Sequence, residues 1–136
     1  MTVKKAKFYT GTGRRKRAVA SVWLYNEKGE FKIQDKPLNK YFTSSEDSLN
    51  WVQPFHAIGV AHPQSKYSAT IKVYGGGIKA QLDAVRLGFA RALVSMDESY
   101  RNILRTNGLL TRDDRRVERK KPFFVKARKK PQYSKR

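Results

Sequence analysis

The chain contains no cysteine, which removes disulfide frameworks, thiolate metal sites and cysteine nucleophiles together. Histidine is nearly as scarce, with only His56 and His62. Their spacing, across Gly59 and up to Pro63, is not a metal-ligand pattern and suggests no third ligand, so neither a metal nor a cofactor is expected. Long apolar runs are absent too: the stretch at residues 18–25 is far short of the roughly 20 residues that span a bilayer, so a membrane partner is not expected. Lys4, Lys5 and Lys7 are followed by no apolar core of a secretion signal, and the protein is expected to stay where it is made. Acidic residues are few, 11 Asp and Glu against 30 Lys and Arg, for a net charge of +19. Charge of one sign at this density repels itself unless a polyanion neutralises it.

The 136 residues suffice for one compact domain but not for two. Only 39% are hydrophobic, so part of the chain is expected to stay outside the core. Residues 1–17 hold seven basic and no acidic residues, residues 18–111 eleven basic and eight acidic, and residues 112–136 twelve basic and three acidic. The net charges are +7, +3 and +9. The expected organisation is therefore a basic N-terminal arm (1–17), a globular domain (18–111) and a basic C-terminal extension and tail (112–136). Alone, the tail cannot build a core, and Pro122 and Pro131 interrupt any helix in it. Its interleaved Phe123, Phe124 and Tyr133 have no use in a solubilising segment, whereas rings beside guanidinium groups can stack on bases and pair with phosphates.

In the middle, residues 18–25 and 31–33 read as strands, and Asn26-Glu27-Lys28-Gly29 as the loop of an antiparallel hairpin between them. Ser44-Ser45-Glu46-Asp47 has the character of a helix cap, predicting a short helix through Trp51 that ends before Pro54. Residues 69–74 alternate, with Ile71 and Val73 on one face, and give a third strand. After Gly75-Gly76-Gly77, the apolar stripe Ile78, Leu82, Val85, Phe89 and Leu93 predicts the main helix. A second helix is expected from an N-cap at Asp97 to Gly108, burying Tyr100, Ile103 and Leu104. The fold class is α+β, a small sheet covered by helices.

Four consecutive cations, Arg14, Arg15, Lys16 and Arg17, follow a flexible pair of glycines and precede the first strand. Such a run is also compatible with a nuclear signal, but its attachment to a strand suits a phosphate-rich partner better. The triple glycine admits two readings. Backbone amides at a helix start can cradle a phosphate, and glycine also permits tight strand-to-helix packing. A Walker continuation is missing. In residues 111–121 the signs are mixed, and carboxylates there can orient arginines internally. Asp113-Asp114 and Asp97-Glu98 come with no nucleophile or metal partner, so the chain is not expected to be an enzyme. A nuclease would want clustered carboxylates, and a free DNA-binding protein a helix rich in base-reading side chains.

In order and spacing, residues 9–17 (YTGTGRRKR), the segment 38–42 ending in Tyr-Phe, residues 73–78 (VYGGGI), 111–121 (TRDDRRVERKK) and 126–136 (KARKKPQYSKR) resemble the bacterial-type ninth protein of the small ribosomal subunit, the S-nine family. The resemblance implies a structural protein of the subunit head, without homo-oligomer or membrane, buried in ribosomal RNA beside neighbouring ribosomal proteins. It implies a place on cytoplasmic ribosomes of bacterial type, an organellar ribosome being the other possibility. The alternative is a free basic nucleic-acid-binding protein. Expected ribosomal RNA contacts are Arg14, Arg15, Lys16 and Arg17, the turn Gly75, Gly76 and Gly77, the cations Arg112, Arg115, Arg116, Arg119, Lys120 and Lys121, and Lys126, Arg128, Lys129 and Lys130. Ser134, Lys135 and Arg136 match the family's terminal Ser-Lys-Arg, which implies contact with peptidyl-site transfer RNA. Eleven residues from Lys126 can reach roughly 35 Å when extended. The chain departs from the family pattern at Lys129, Lys130 and Tyr133, where arginines and phenylalanine are usual. It also continues the glycine turn with Lys79-Ala80-Gln81-Leu82-Asp83 rather than small residues.

Overall fold

A computed structural model describes residues 7–135. Five strands, β1 (Phe8–Arg15), β2 (Ala18–Tyr25), β3 (Phe31–Ile33), β4 (Lys36–Pro37) and β5 (Ser68–Tyr74), form one mixed sheet in the order β1-β2-β5-β3-β4. The helices are α1 (Leu38–Tyr41), α2 (Ser45–Ala57), α3 (Ile78–Met96) and α4 (Tyr100–Thr106), with a 3-10 turn at Pro63–Ser65. This is the expected α+β class. The alternation along β2 and β5 sends Ala20, Val22, Leu24, Ala69, Ile71 and Val73 to the side covered by α3.

The hairpin expected between β2 and β3 does not form. β5 lies between them, antiparallel to β2 and parallel to β3, so that Val22, Ile71 and Ile33 make one buried cross-strand row. A parallel neighbour requires a crossover, which α1 and α2 supply. The tight hairpin is instead β3–β4, where Gln34 and Asp35 both have positive φ (48° and 67°), as a two-residue turn of the type matching strand twist demands.

From Phe8 onward the expected N-terminal arm is an edge strand, paired with β2 from Phe8↔Tyr25 to Arg15↔Ala18. Nor are its glycines flexible joints. A Cβ on Gly13 would lie 1.7 Å from the Ala84 carbonyl oxygen, and one on Gly11 2.2 Å from that of Gly88. Only the missing side chains let β1 lie directly on the backbone of α3. Gly88 completes the approach, since a Cβ there would meet Val22 at 2.7 Å.

Ser44 caps α2, its side chain accepting from the Glu46 N–H, with Glu46 and Asp47 in the first turn. The helix continues through Pro54 to Ala57 instead of ending before it. Proline there forfeits one ladder bond, while Pro54 is buried and Phe55 lies in the core. Phe31, Trp51, Phe55 and Phe89 form that core's aromatic centre, with ring centroids 5.0–6.0 Å apart. Each such pair contributes about 0.5–1.5 kcal/mol beyond area burial. On α3 the stripe is buried from Leu82 on, but Ile78 is 58% exposed at the helix start. Asp97 does not cap the next helix from Tyr100; it ends α3 and accepts from the Ser99 N–H. Leu104 alone of the three expected residues is fully buried, Ile103 being exposed and Tyr100 half-buried.

Candidate nucleic-acid interface

The four-cation run is the tip of the β1–β2 hairpin. Arg14 and Arg15 end β1, and Lys16 (φ 52°) and Arg17 make the turn. Strand alternation splits the arginines, Arg14 to the outer face and Arg15 towards α3. The Arg15 side chain is only 14% exposed; its guanidinium lies 3.6 Å from Asp83 and 3.4 Å from Asp113 and donates to the Arg115 carbonyl at 2.5 Å. Arg15 is therefore an internal anchor that holds residues 113–115 to the domain. Arg116 repeats the tie by donating to the Lys16 carbonyl at 3.1 Å.

The glycine turn sits against this tip. Gly75 and Gly76 have φ of +70° and +65°, and a Cβ on Gly75 would meet the Arg17 carbonyl oxygen at 2.6 Å. Close packing thus explains Gly75 and Gly76, whereas Gly77, with open space around its Cβ position, is left to front the N-terminus of α3. Along the first two turns the polar residues find partners: Lys79 with the buried Asp47 at 2.7 Å, Gln81 with the Tyr41 hydroxyl at 2.6 Å, and Asp83 with Arg15. The close backbone approach is made farther along, at Ala84 and Gly88.

Between tip, glycine turn and extension lies a groove of about 520 Å³, lined by Lys16, Arg17, Arg116 and Arg119 together with Gly76, Gly77, Ala80 and Val117. Among the described residues, no carboxylate lines it. Of the neighbouring acids, Asp113 and Glu118 are engaged elsewhere. Asp113 is gripped by the Arg115 side chain and backbone N–H, which hold its carboxyl well below the usual carboxylate range. Glu118 is held low by Arg128, at 3.0 Å, and then by Lys121, also at 3.0 Å. Four cations beside the N-terminus of α3 thus line one concave surface, an arrangement that can hold an anion.

The remaining expected residues extend from this corner. Arg112, Lys120, Lys126 and Lys130 are exposed on the extension, and the Lys129 carbonyl accepts from the Val125 N–H at 2.8 Å, closing a turn. Phe123 and Tyr133 are 92% and 103% exposed. Ser134 and Lys135 are exposed, the Ser134 carbonyl accepting from Gln132, and Arg136 lies outside the described residues. Sequence reasoning did not find Asp83 as the anchor of Arg15, because the two meet only when β1 lies on α3.

The family model described as "Ribosomal protein S9/S16" matches residues 13–136. The chain belongs to that family. Among its relatives is the small ribosomal subunit protein uS9 of Dehalococcoides mccartyi (strain CBDB1), 46% identical over 134 residues, which cover 98% of this chain and 99% of the relative. That of Borrelia duttonii (strain Ly) is 45% identical over 98% of this chain and 96% of its own length. The Azobacteroides pseudotrichonymphae protein is 46% identical over 91% and 94%. Membership in the S9/S16 family makes this a ribosomal structural protein and not an enzyme.

Proposed function

We propose that this structural constituent of the small ribosomal subunit binds ribosomal RNA through the cationic corner and hands its tail to peptidyl-site transfer RNA, on ribosomes of bacterial type in the cytoplasm. The observation that carries the first part is the Arg15 anchor. It joins both basic ends of the chain on one groove that, among the described residues, no carboxylate lines. Arg14, Lys16, Arg17, Arg112, Arg116, Arg119 and Lys120 then face the phosphate backbone, while Arg15 and Arg115 act chiefly by holding the extension in place. Lys121 and Arg128 flank Glu118, and Lys126, Lys129 and Lys130 carry the charge outward along the tail.

If about ten phosphates are neutralised, log affinity falls with log salt at a slope near −9 for duplex-like RNA and near −7 for single strands. A slope shallower than about −3 would refute the cationic corner as the binding surface. For the terminus, the support is chemical: guanidinium and ammonium groups such as those of Arg136 and Lys135 can pair with phosphate, and a guanidinium plane can stack on a base. Truncation after Tyr133 leaves assembly intact and speeds transfer RNA dissociation from the peptidyl site by about tenfold or more, since a charge-assisted contact is worth about 1.5–3 kcal/mol. Equal dissociation rates with full-length and truncated protein would leave the tail as an RNA-packing arm only. Cosedimentation with ribosomal subunits separates this reading from that of a free basic nucleic-acid-binding protein.

A further inference from the structure

The sheet has a second face, turned away from α3, and none of the described helices covers it. Its outward positions carry rings and cations. Phe8 pairs across from Tyr25 with centroids 6.2 Å apart, and Lys72 lies over the Trp23 ring at 5.8 Å. Tyr74 and Phe8 are 60% and 52% exposed. Arg14 and Lys32 complete the charge, and no outward position of β1, β2 or β5 is acidic. Glu27 follows β2 by two residues, and Glu30 stands just before β3 in a hollow with Tyr25 and Lys32. Between the rings the outward residues are short: Thr10, Thr12, Ser21 and Thr70.

We infer that this face is a stacking platform for unpaired nucleotides of RNA, separate from the cationic groove. The inference rests on the RNA-binding reading of the corner. Two outward residues on one strand are about 7 Å apart, so Trp23 and Tyr25 stand at roughly twice the 3.4 Å step of a stacked strand. That is the separation of splayed bases, which rings on an uncovered sheet face can receive and a closed duplex cannot offer. Phe8 and Tyr74 present open rings, Trp23 and Tyr25 are half-buried beside short hydroxyl residues, and Arg14, Lys32 and Lys72, the last over the Trp23 ring, are placed to meet the phosphates between bases. A protein partner would instead have to bring carboxylates to three cations.

The test uses the full chain with Trp51→Phe, so that Trp23 is the sole tryptophan. A single-stranded oligouridylate about ten nucleotides long quenches Trp23 fluorescence, and a duplex of equal charge does not. Phe8→Ser and Tyr74→Ser each weaken oligouridylate binding by roughly 5- to 150-fold while duplex affinity and salt slope stay unchanged. Tyr74→Phe keeps the ring and binds like the parent. In assembled subunits, a photoreactive phenylalanine analogue at position 74 crosslinks to RNA. Unquenched Trp23, serine variants that bind as the parent does, or a crosslink to protein alone would each overturn the platform. The salt slope from the same titrations reports separately whether the cationic corner binds.

Discussion

Replacing Gly13 with alanine probes the contact that positions the whole cationic corner. The added methyl would sit 1.7 Å from the Ala84 carbonyl oxygen and 2.7 Å from the Gly88 nitrogen, whereas ordinary contact begins near 3.4 Å. Both atoms are backbone of α3, so no side-chain rotation relieves the overlap, and β1 must retreat by about the missing 1.7 Å. Overpacking of this kind costs about 1–3 kcal/mol, and two rigid backbones put the cost at the upper end. With an unfolding entropy of about 2.1 cal/mol/K per residue over a folded domain of roughly 100 residues, 3 kcal/mol lowers Tm by about 14 °C. Thermal melts followed by circular dichroism read this directly. Thr12→Ala, on the exposed side of the same strand, is the control and stays within about 1 kcal/mol of the parent. A Gly13→Ala melting point within about 3 °C of the parent would show that β1 does not lie on α3 as described.

Arg15→Met removes the anchor and frees residues 112–116, so limited proteolysis within the extension speeds up by ten- to a hundredfold while the domain's melting point changes less than for Gly13→Ala. Unchanged cleavage would deny Arg15 that role. Because Arg128 and Lys121 lower the Glu118 carboxyl in the folded chain, the clasp it makes is intact above the ordinary glutamate range near 4.3 and is lost as the pH falls through the lowered value. The Arg128 side-chain N–H resonance, followed by NMR on acidification, moves only below that range. An Arg116→Ala, Arg119→Ala variant lowers the magnitude of the salt slope by about 1.4–1.8 and weakens binding without regard to RNA sequence.

Local signals were legible wherever one element's own periodicity decided the outcome. The strand at Ala18–Tyr25, the alternation through Ile71 and Val73, the Ser44 cap and the α3 stripe from Leu82 follow from residues near in sequence. Partnership was not legible. Nothing between Tyr25 and Phe31 reveals that β5, nearly 40 residues on, will come between their strands. At Gly11 and Gly13 the residue type signals freedom as readily as close approach, and only the position of α3 distinguishes the two. Of the site, the cations were visible as charge, but their division into anchors and presenters was not. It depends on which way a strand residue points and on carboxylates as distant as Asp83 and Asp113.

The placement of β1 also sets an order on the birth of the protein. Its bed, α3, is made some 70 residues after it, and the extension that closes the groove follows later still. While the chain is being synthesised, the first strand has only β2 to hold it, and long-range contacts of this kind form late. Arg15 meets Asp113 only when about five-sixths of the chain exists. An unfinished chain therefore carries the charges of the binding corner without its shape, and the shaped groove is a property of the nearly completed molecule alone.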